Sequence, residues 1–362
     1  MNIILEKEIL DFIKFCENEL IDIYIVGGAI RDNILGLNTL DYDFALASDY
    51  KDALYKLSKV YNCKHNDTYQ SIKFHIDKYN IEISHCRKEY GILDNRHPYK
   101  IEFVDDIKVD SQRRDFSINA LYYKDGIIYD FYNGLYHIKN KELIVIGDTL
   151  IRFKEDSMRI LRMIRFASIG YKISDKDKKI ILDNYNLLQS LSLEAFDLEF
   201  NKILSIKNIG IINQYKVVFE AYYKTKFPDI KKLLLLNSID EMKTYLGIKN
   251  NSKLYKYRNL IISDDKVQLT KTIYNNSKEI VLELVCYYDK LNNTKIKSLY
   301  DDIMDSFYSK TQLNITTEEI IYLIKDKRKT SYYIDKVSYA IIEGEIENNK
   351  EQIKNYILGS VK

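Results

Sequence analysis

The periodicity of apolar residues changes near residue 150, and that change limits the chain to a mixed head followed by a helical remainder. Before it, short runs rich in Ile, Val, Tyr and Phe alternate with turns and short helices: IDIYIVGG, DYDFALA, SIKFHID, YNIEISHCR and DGIIYDFYNG. Their length and β-branched or aromatic content are those of strands. After it, the spacing is helical almost throughout. In DSMRILRMIRFASIG, Ile160, Leu161, Ile164 and Ala167 form one stripe that Gly170 ends. DKKIILDNYNLLQSL, LEFNKILSI, DIKKLLLLNSIDEMKTYLG and KEIVLELVCYYDKL continue in that style. An α+β chain with a sheet-bearing head and an all-helical remainder follows.

At 362 residues the chain exceeds what a single core usually organises, so several domains are expected. A net charge of only +2 means that any nucleic-acid partner must be held by local basic patches. Cys16, Cys63, Cys86 and Cys286 are not spaced as zinc ligands or as a disulfide framework, which fits a reducing cytoplasm and no disulfide-linked partner. The opening stretch MNIILEKEILDFIKFCENEL, with its interspersed charges, reads as an amphipathic helix rather than a signal peptide. No uncharged apolar run is long enough to span a membrane. All five histidines (His65, His75, His85, His97 and His137) precede the helical part, which excludes a histidine-dependent metal hydrolase site there.

The chemistry concentrates in YIVGGAIRDNILGLNTLDYDFALA. A strand runs into Gly27 and Gly28, whose backbone can approach a phosphate closely, and then into a short helix carrying Arg31 about one turn in. The next strand holds Asp41 and Asp43. Alternate residues of a strand share a face, so two carboxylates stand a few ångströms apart in otherwise apolar surroundings. Two Mg²⁺ ions would offset that repulsion with hard oxygen ligands, one activating an attacking 3′-hydroxyl and the other steadying the departing pyrophosphate. An isolated Asp-x-Asp is most often a solvated edge strand. Joined to a glycine pair and Arg31 at this spacing, it is a nucleotidyltransferase arrangement.

Three segments carry a family resemblance. GGAIRDNILGLNTLDYDFA, RRDFSINALYY and EDSMRILRMIRFAS resemble, in order and spacing, signature motifs of the bacterial class II tRNA nucleotidyltransferases, the CCA-adding enzymes. These share a superfamily with bacterial poly(A) polymerases. The resemblance covers roughly residues 20 to 170. It implies a polymerase-β-like head with a mixed sheet, then a helical neck, body and tail, here expected at 1–140, 141–205, 206–270 and 271–362. It also implies CTP and ATP as substrates and the 3′ end and acceptor/T arm of tRNA as partner.

Residue roles follow from the same resemblance. Arg114 matches a residue that contacts the incoming nucleotide. Asp115 and Asn119, expected on one helical face, match the ribose-reading motif, and their mixed donors and acceptors suit a 2′-hydroxyl. Asp156 and Arg159, expected at i and i+3 of one helix, match the pair that reads the base. A carboxylate accepts from the amino group of cytosine or adenine, and a guanidinium donates to the neighbouring ring positions. An ordinary surface ion pair between Glu155 and Arg159 is the competing reading. Arg162 and Arg165 match positions near the nucleotide or the tRNA end, and Glu82 matches an acidic position that adds a third catalytic carboxylate.

Within the superfamily, TYQSIKFHI lacks the basic Gly-Arg-Arg-Phe-like segment of poly(A) polymerases, and CRKEYGILDNRHPYKIEFV (86 to 104) resembles the full-length flexible loop of CCA-adding enzymes. AIIEGEIENNKEQIKNYI resembles the tail of the shorter, Gram-positive-type members. An A-adding specialist keeps the same nucleotide motifs, and an RNA-binding protein that has lost catalysis is the non-enzyme alternative. Two departures stand out. In the neck, Glu194 and Glu199 match the family, whereas Ala195 stands where an arginine is expected. In the tail, Lys325, Lys327, Arg328 and Lys329 replace a glycine-rich turn and are candidate contacts to tRNA phosphates.

Overall fold

The apolar stripe of the first helix and the alternation of the second strand meet in one core. The computed structural model describes residues 3–91, 98–260 and 262–360. Helix α1 (Lys7–Asn18) buries Ile9, Phe12 and Cys16. Phe12 meets the edges of Phe44 at 5.3 Å and Phe74 at 5.6 Å. The strands are β1 (Ile23–Val26), β2 (Asp41–Leu46), β3 (Lys64–Asn66), β4 (Ser71–Ile76), β5 (Tyr79–His85), β6 (Arg87–Tyr90), β7 (Lys100–Phe103), β8 (Leu121–Lys124) and β9 (Ile127–Asp130). Seven of them form one mixed sheet in the order β3-β4-β5-β2-β1-β8-β9. Only β2 and β5 run parallel in it, and helix α3 (Tyr50–Ser58) with β3 and β4 makes the crossover that such a pair requires. In β2 the alternation resolves as expected: Tyr42 and Phe44 are buried, and Asp41 and Asp43 face away from the core.

Residues 1–222 and 223–362 form two compact units. After β9 the first unit is helical. Helices α5 (Gly134–Asn140), α6 (Thr149–Glu155), α7 (Met158–Ser168), α8 (Asp175–Asn184) and α9 (Leu193–Ile206) follow, whereas the short α2 (Gly28–Ile34) lies between β1 and β2 and α4 (Ile107–Ser111) between β7 and β8. Helix α7 packs on α9 and is buried along most of its length. The second unit has no strand among its described residues. Helices Lys266–Asn275, Lys278–Asn292 and Ile296–Met304 enclose Leu269, Val281, Val285 and Ile303. Helices Thr317–Ile324, Thr330–Ile342 and Lys350–Ser360 enclose Ile320, Val337, Ile353 and Ile357. Among the described residues no helix is long and apolar enough to cross a membrane, and all four cysteines are free.

Two local expectations are corrected. Asp115 and Asn119 do not lie on an α-helix. Phe116 is extended and bridges Val145, and only a 3-10 turn, Ser117–Asn119, follows. The wholly buried Phe116 ring takes its place in the core beside Phe166, and that packing overrides the local helical spacing. Asp156 and Arg159 do not share a helix either. Asp156 is extended (φ −149°, ψ 102°) at the break between α6 and α7, and its carboxylate accepts from the Met158 N–H at 3.0 Å. An aspartate that satisfies an orphan donor at a helix start favours such a break. The described part of the 86-to-104 loop is a two-stranded antiparallel ribbon of β6 and β7. Residues 92–97, His97 included, lie outside the described residues.

Candidate active site

Asp41 and Asp43 open from β2 into a cavity of about 990 Å³ in the first unit. In register across the parallel pair, Asp41 faces Asn80 and Asp43 faces Glu82. Asn80 donates to Asp41 at 2.6 Å. Desolvation by the cavity walls, then the nearby Glu82 charge, raises the Asp43 pKa, and Arg114 only partly offsets this. Glu82 itself is salt-bridged to Lys73 at 2.8 Å and is not among the cavity-lining residues. Among the described residues, no three His, Cys, Asp or Glu side chains are assembled to hold a metal ion. The structure thus places Glu82 beside the pair without joining it to them.

The glycine pair lies against the same aspartates. Gly27 has φ +78°, a conformation that a side chain strains. A Cβ there would stand 3.9 Å from Arg114 Nη1 and 4.0 Å from Asp43 Oδ2, inside the gap between them. Arg31 also lines the cavity, but its guanidinium is engaged by Asp32 and donates to Asn119 Oδ1 at 2.6 Å. Asn119 in turn donates to Asp115 at 3.1 Å, and Arg162 Nε donates to Asp115 at 2.6 Å. A continuous polar line, Arg31–Asn119–Asp115–Arg162, crosses from α2 to α7. Burial opposes ionisation of Asp115, but Arg162 and Asn119 overcome it and hold its pKa low. Asp115 Oδ1 accepts twice and Oδ2 once, so one acceptor position on Oδ2 remains for a ligand hydroxyl.

The guanidinium of Arg159 is not an exposed surface group, since its side chain is 8% exposed. It donates to the carbonyls of Arg152 and Arg113, each at 2.9 Å, and to Glu155 at 3.0 Å. The ion pair of the competing reading therefore exists, but within a brace that ties α7 to the Arg113–Arg114 segment. Arg152 completes the brace by pairing with Glu155 and donating to the carbonyls of Arg113 and Arg114. Asp156 and Arg159 both line the cavity.

Arg165 donates from Nε to the buried Glu199 of α9 at 2.6 Å, and Lys202 joins at 2.9 Å. Burial alone would raise the Glu199 pKa, but Arg165 and Lys202 hold it below the usual carboxylate range. That stabilisation is present above the unfolded-state pKa and is lost as pH falls through the folded value. Glu199→Gln should therefore cost about 1–3 kcal/mol at neutral pH, less than a fully buried pair because Arg165 is partly solvated. Thermal melts should show the difference from the parent shrinking in acid, and an equal difference at both pH values would refute the pairing argument. Glu194 is exposed, and Ala195 leaves the bracing of α7 to Glu199.

Several cavity residues escaped the sequence reading. Arg87, Lys88 and Glu89 enter from the ribbon, and Arg152 from the helix just before the EDSMRILRMIRFAS motif. The basic pair in CRKEY was the available signal. Cations outnumber carboxylates in the lining, which suits a polyanionic ligand. Lys325, Lys327, Arg328 and Lys329 lie in the second unit. Lys325 takes the left-handed conformation (φ 53°) that a glycine would otherwise supply, and all four are exposed at one turn. Arg328 also reaches back to Asp326 at 3.2 Å.

Comparison with known proteins adds three findings. Residues 23–144 match the Poly A polymerase head domain family. The CCA-adding enzyme of Lactococcus lactis subsp. cremoris is 31% identical over 288 residues, covering 76% of this chain and 70% of that protein. The CCA-adding enzyme of Ligilactobacillus salivarius is 28% identical over 368 residues, covering 91% and 90% respectively. In fold, the chain is similar to a Bacillus stearothermophilus CCA-adding enzyme crystallised with CTP. The TM-score is 0.69 at 20% identity, with 98% of this chain and 97% of that chain covered.

Proposed function

The chain belongs to the CCA-adding enzyme family, and from that premise we propose that it adds C, C and A without a template to the 3′ end of tRNA in the cytoplasm, using CTP and ATP and releasing pyrophosphate. One observation carries the reading: a single cavity is lined by the β2 aspartates, the Arg113–Asn119 segment, Asp156 and the Arg159–Arg165 face of α7. Its volume of about 990 Å³ accommodates a nucleoside triphosphate.

The donor set suits Mg²⁺. Asp41 and Asp43 present hard oxygens from one strand face, and the raised Asp43 pKa marks a carboxylate whose charge lacks full compensation. When bound, two Mg²⁺ ions supply the Lewis acidity that activates a 3′-hydroxyl and neutralises the departing pyrophosphate. Asp41 and Asp43 hold that charge in place, and Glu82 assists once released from Lys73. Gly27 and Gly28 leave room for the triphosphate, and Arg114 faces it. Asp156 and Arg159 meet the Watson–Crick edge of the base. For this, Arg159 uses the donors left over from its brace or exchanges Glu155 for the nucleotide. Arg162 and Arg165 flank that space.

The open acceptor on Asp115 faces the ribose in this reading. Asp115→Ala should therefore reduce the preference for CTP over dCTP by about tenfold, the worth of one hydrogen bond to a charged group. The C-to-A preference should change much less. Parallel kcat/KM measurements decide, and a changed base choice with ribose choice intact would overturn the assignment.

Residues 1–140, 141–205, 206–270 and 271–362 serve in this proposal as head, neck, body and tail. Lys325, Lys327, Arg328 and Lys329 contribute contacts to tRNA phosphates. The direct test supplies tRNA ending at the discriminator base, at C or at CC, with labelled CTP and ATP, and sequences the products. Completion of CCA on all three supports the proposal. Extension of the CC-ended tRNA alone identifies an A-adding specialist, a run of A identifies a poly(A) polymerase, and no extension identifies a binding protein.

A further inference from the structure

Behind the cavity, a wholly buried carboxylate has every lone pair engaged. Asp110 of α4 is 0% exposed. Its Oδ1 accepts from the Arg87 N–H at 3.2 Å and Arg113 Nε at 2.7 Å, and its Oδ2 from Arg114 Nη2 at 3.0 Å and the Tyr122 hydroxyl at 2.6 Å. Tyr122, from β8, is equally buried, and its hydroxyl oxygen accepts from Arg114 Nε at 2.8 Å. Asp110, Tyr122 and Arg114 thus close a ring of three hydrogen bonds. Burial works against the Asp110 charge, but Arg114 and Arg113 prevail and bring its pKa down to about 2, so the ring is ionic at neutral pH.

The ring consumes two of the three guanidinium nitrogens of Arg114. The Arg114 carbonyl is held separately, by Arg152 Nη2 at 2.9 Å. What remains is Nη1, and it borders the space beside Gly27 that Asp43 also borders. We infer that Asp110 and Tyr122 are positioning residues that aim the free edge of Arg114 at the triphosphate space between Gly27 and Asp43. The inference rests on the proposed role of Arg114 as a nucleotide contact. An arginine tethered only by its flexible stem samples many rotamers, and fixing Nε and Nη2 leaves Nη1 one direction. A phenylalanine at position 122 would fill the same core volume but leave Arg114 Nε without its acceptor.

The test is a double-mutant cycle on the full-length chain. Tyr122→Phe and Asp110→Asn are each made in the parent and in Arg114→Ala. CTP affinity is measured by equilibrium titration, kcat and KM are measured for CTP and ATP, and melting temperature is recorded. Tyr122→Phe should raise KM for CTP and ATP alike by about tenfold, leave their ratio unchanged, and add nothing in Arg114→Ala. Where Asp110→Asn fails to fold, Tyr122→Phe decides alone. If Tyr122→Phe weakens CTP binding as much in Arg114→Ala as in the parent, or lowers only the melting temperature, or leaves binding untouched, the positioning role is wrong. If Arg114→Ala by itself keeps parental affinity and kcat/KM, the nucleotide-contact role of Arg114 falls, and the inference with it.

Discussion

Asp43→Asn is expected to abolish nucleotide addition, lowering kcat/KM by on the order of a thousandfold or more, because a neutral amide cannot hold the charge that the two-metal chemistry needs. The apo protein should not suffer. Asp43 faces the cavity rather than the core, and its pKa is raised by desolvation and by Glu82. A carboxyl with a raised folded-state pKa binds its proton more tightly when folded than when unfolded. Its ionisation therefore weakens the metal-free fold as pH climbs from the ordinary carboxylate range through the raised value. Asp43→Asn removes that loss. The melting temperature of the variant should gain on the parent from acid toward neutral pH and then level off. Labelled CTP incorporation and apo melts across that range check both halves. Turnover within a few-fold of the parent would remove Asp43 from the catalytic pair.

Arg159→Ala is expected to lower kcat/KM for CTP by about ten- to a few-hundredfold, as charged hydrogen bonds to the base are lost. UTP and GTP should rise relative to CTP, since the donors that distinguish the Watson–Crick edges are gone. The brace sharpens what must be measured. Arg159 also serves the carbonyls of Arg113 and Arg152, so its loss removes two bonds of the brace and loosens α7 against the Arg113–Arg114 segment. Loosening alone would depress all four nucleotides together. Measuring kcat/KM for each of the four on tRNA lacking its end separates the effects. A uniform fall with preserved ratios would make Arg159 a brace and nothing more, whereas converging ratios make it a base reader.

Much of the head was legible from one dimension. The strand runs became β1, β2, β4, β5 and β9, the stripe of the first helix became α1, and Asp41 and Asp43 emerged on one face because strand alternation is a local geometric property. The glycine pair was readable for the same reason. A backbone conformation with φ +78° restricts the residue that adopts it, whatever surrounds it.

Tertiary structure decided where those elements break and what each charge faces. RRDFSIN has helical spacing, but Phe116 gains more by bridging Val145 and entering the core beside Phe166 than a helix would return. EDSMRILRMIRF also has helical spacing, and there Asp156 interrupts it by bonding the Met158 N–H. The ribbon of β6 and β7 depends on pairing across residues 92–97, so no window within either strand reveals it. The arginines depended most on the fold. Sequence motifs placed Arg114, Arg159, Arg162 and Arg165 near one another, but the partners of the last three (the Arg113 carbonyl, Asp115 and Glu199) come from other segments, whereas Arg114 finds Asp110 and Tyr122 in its own stretch of chain. A buried charge must be compensated within a few ångströms, and only the folded chain determines which acceptors lie that close.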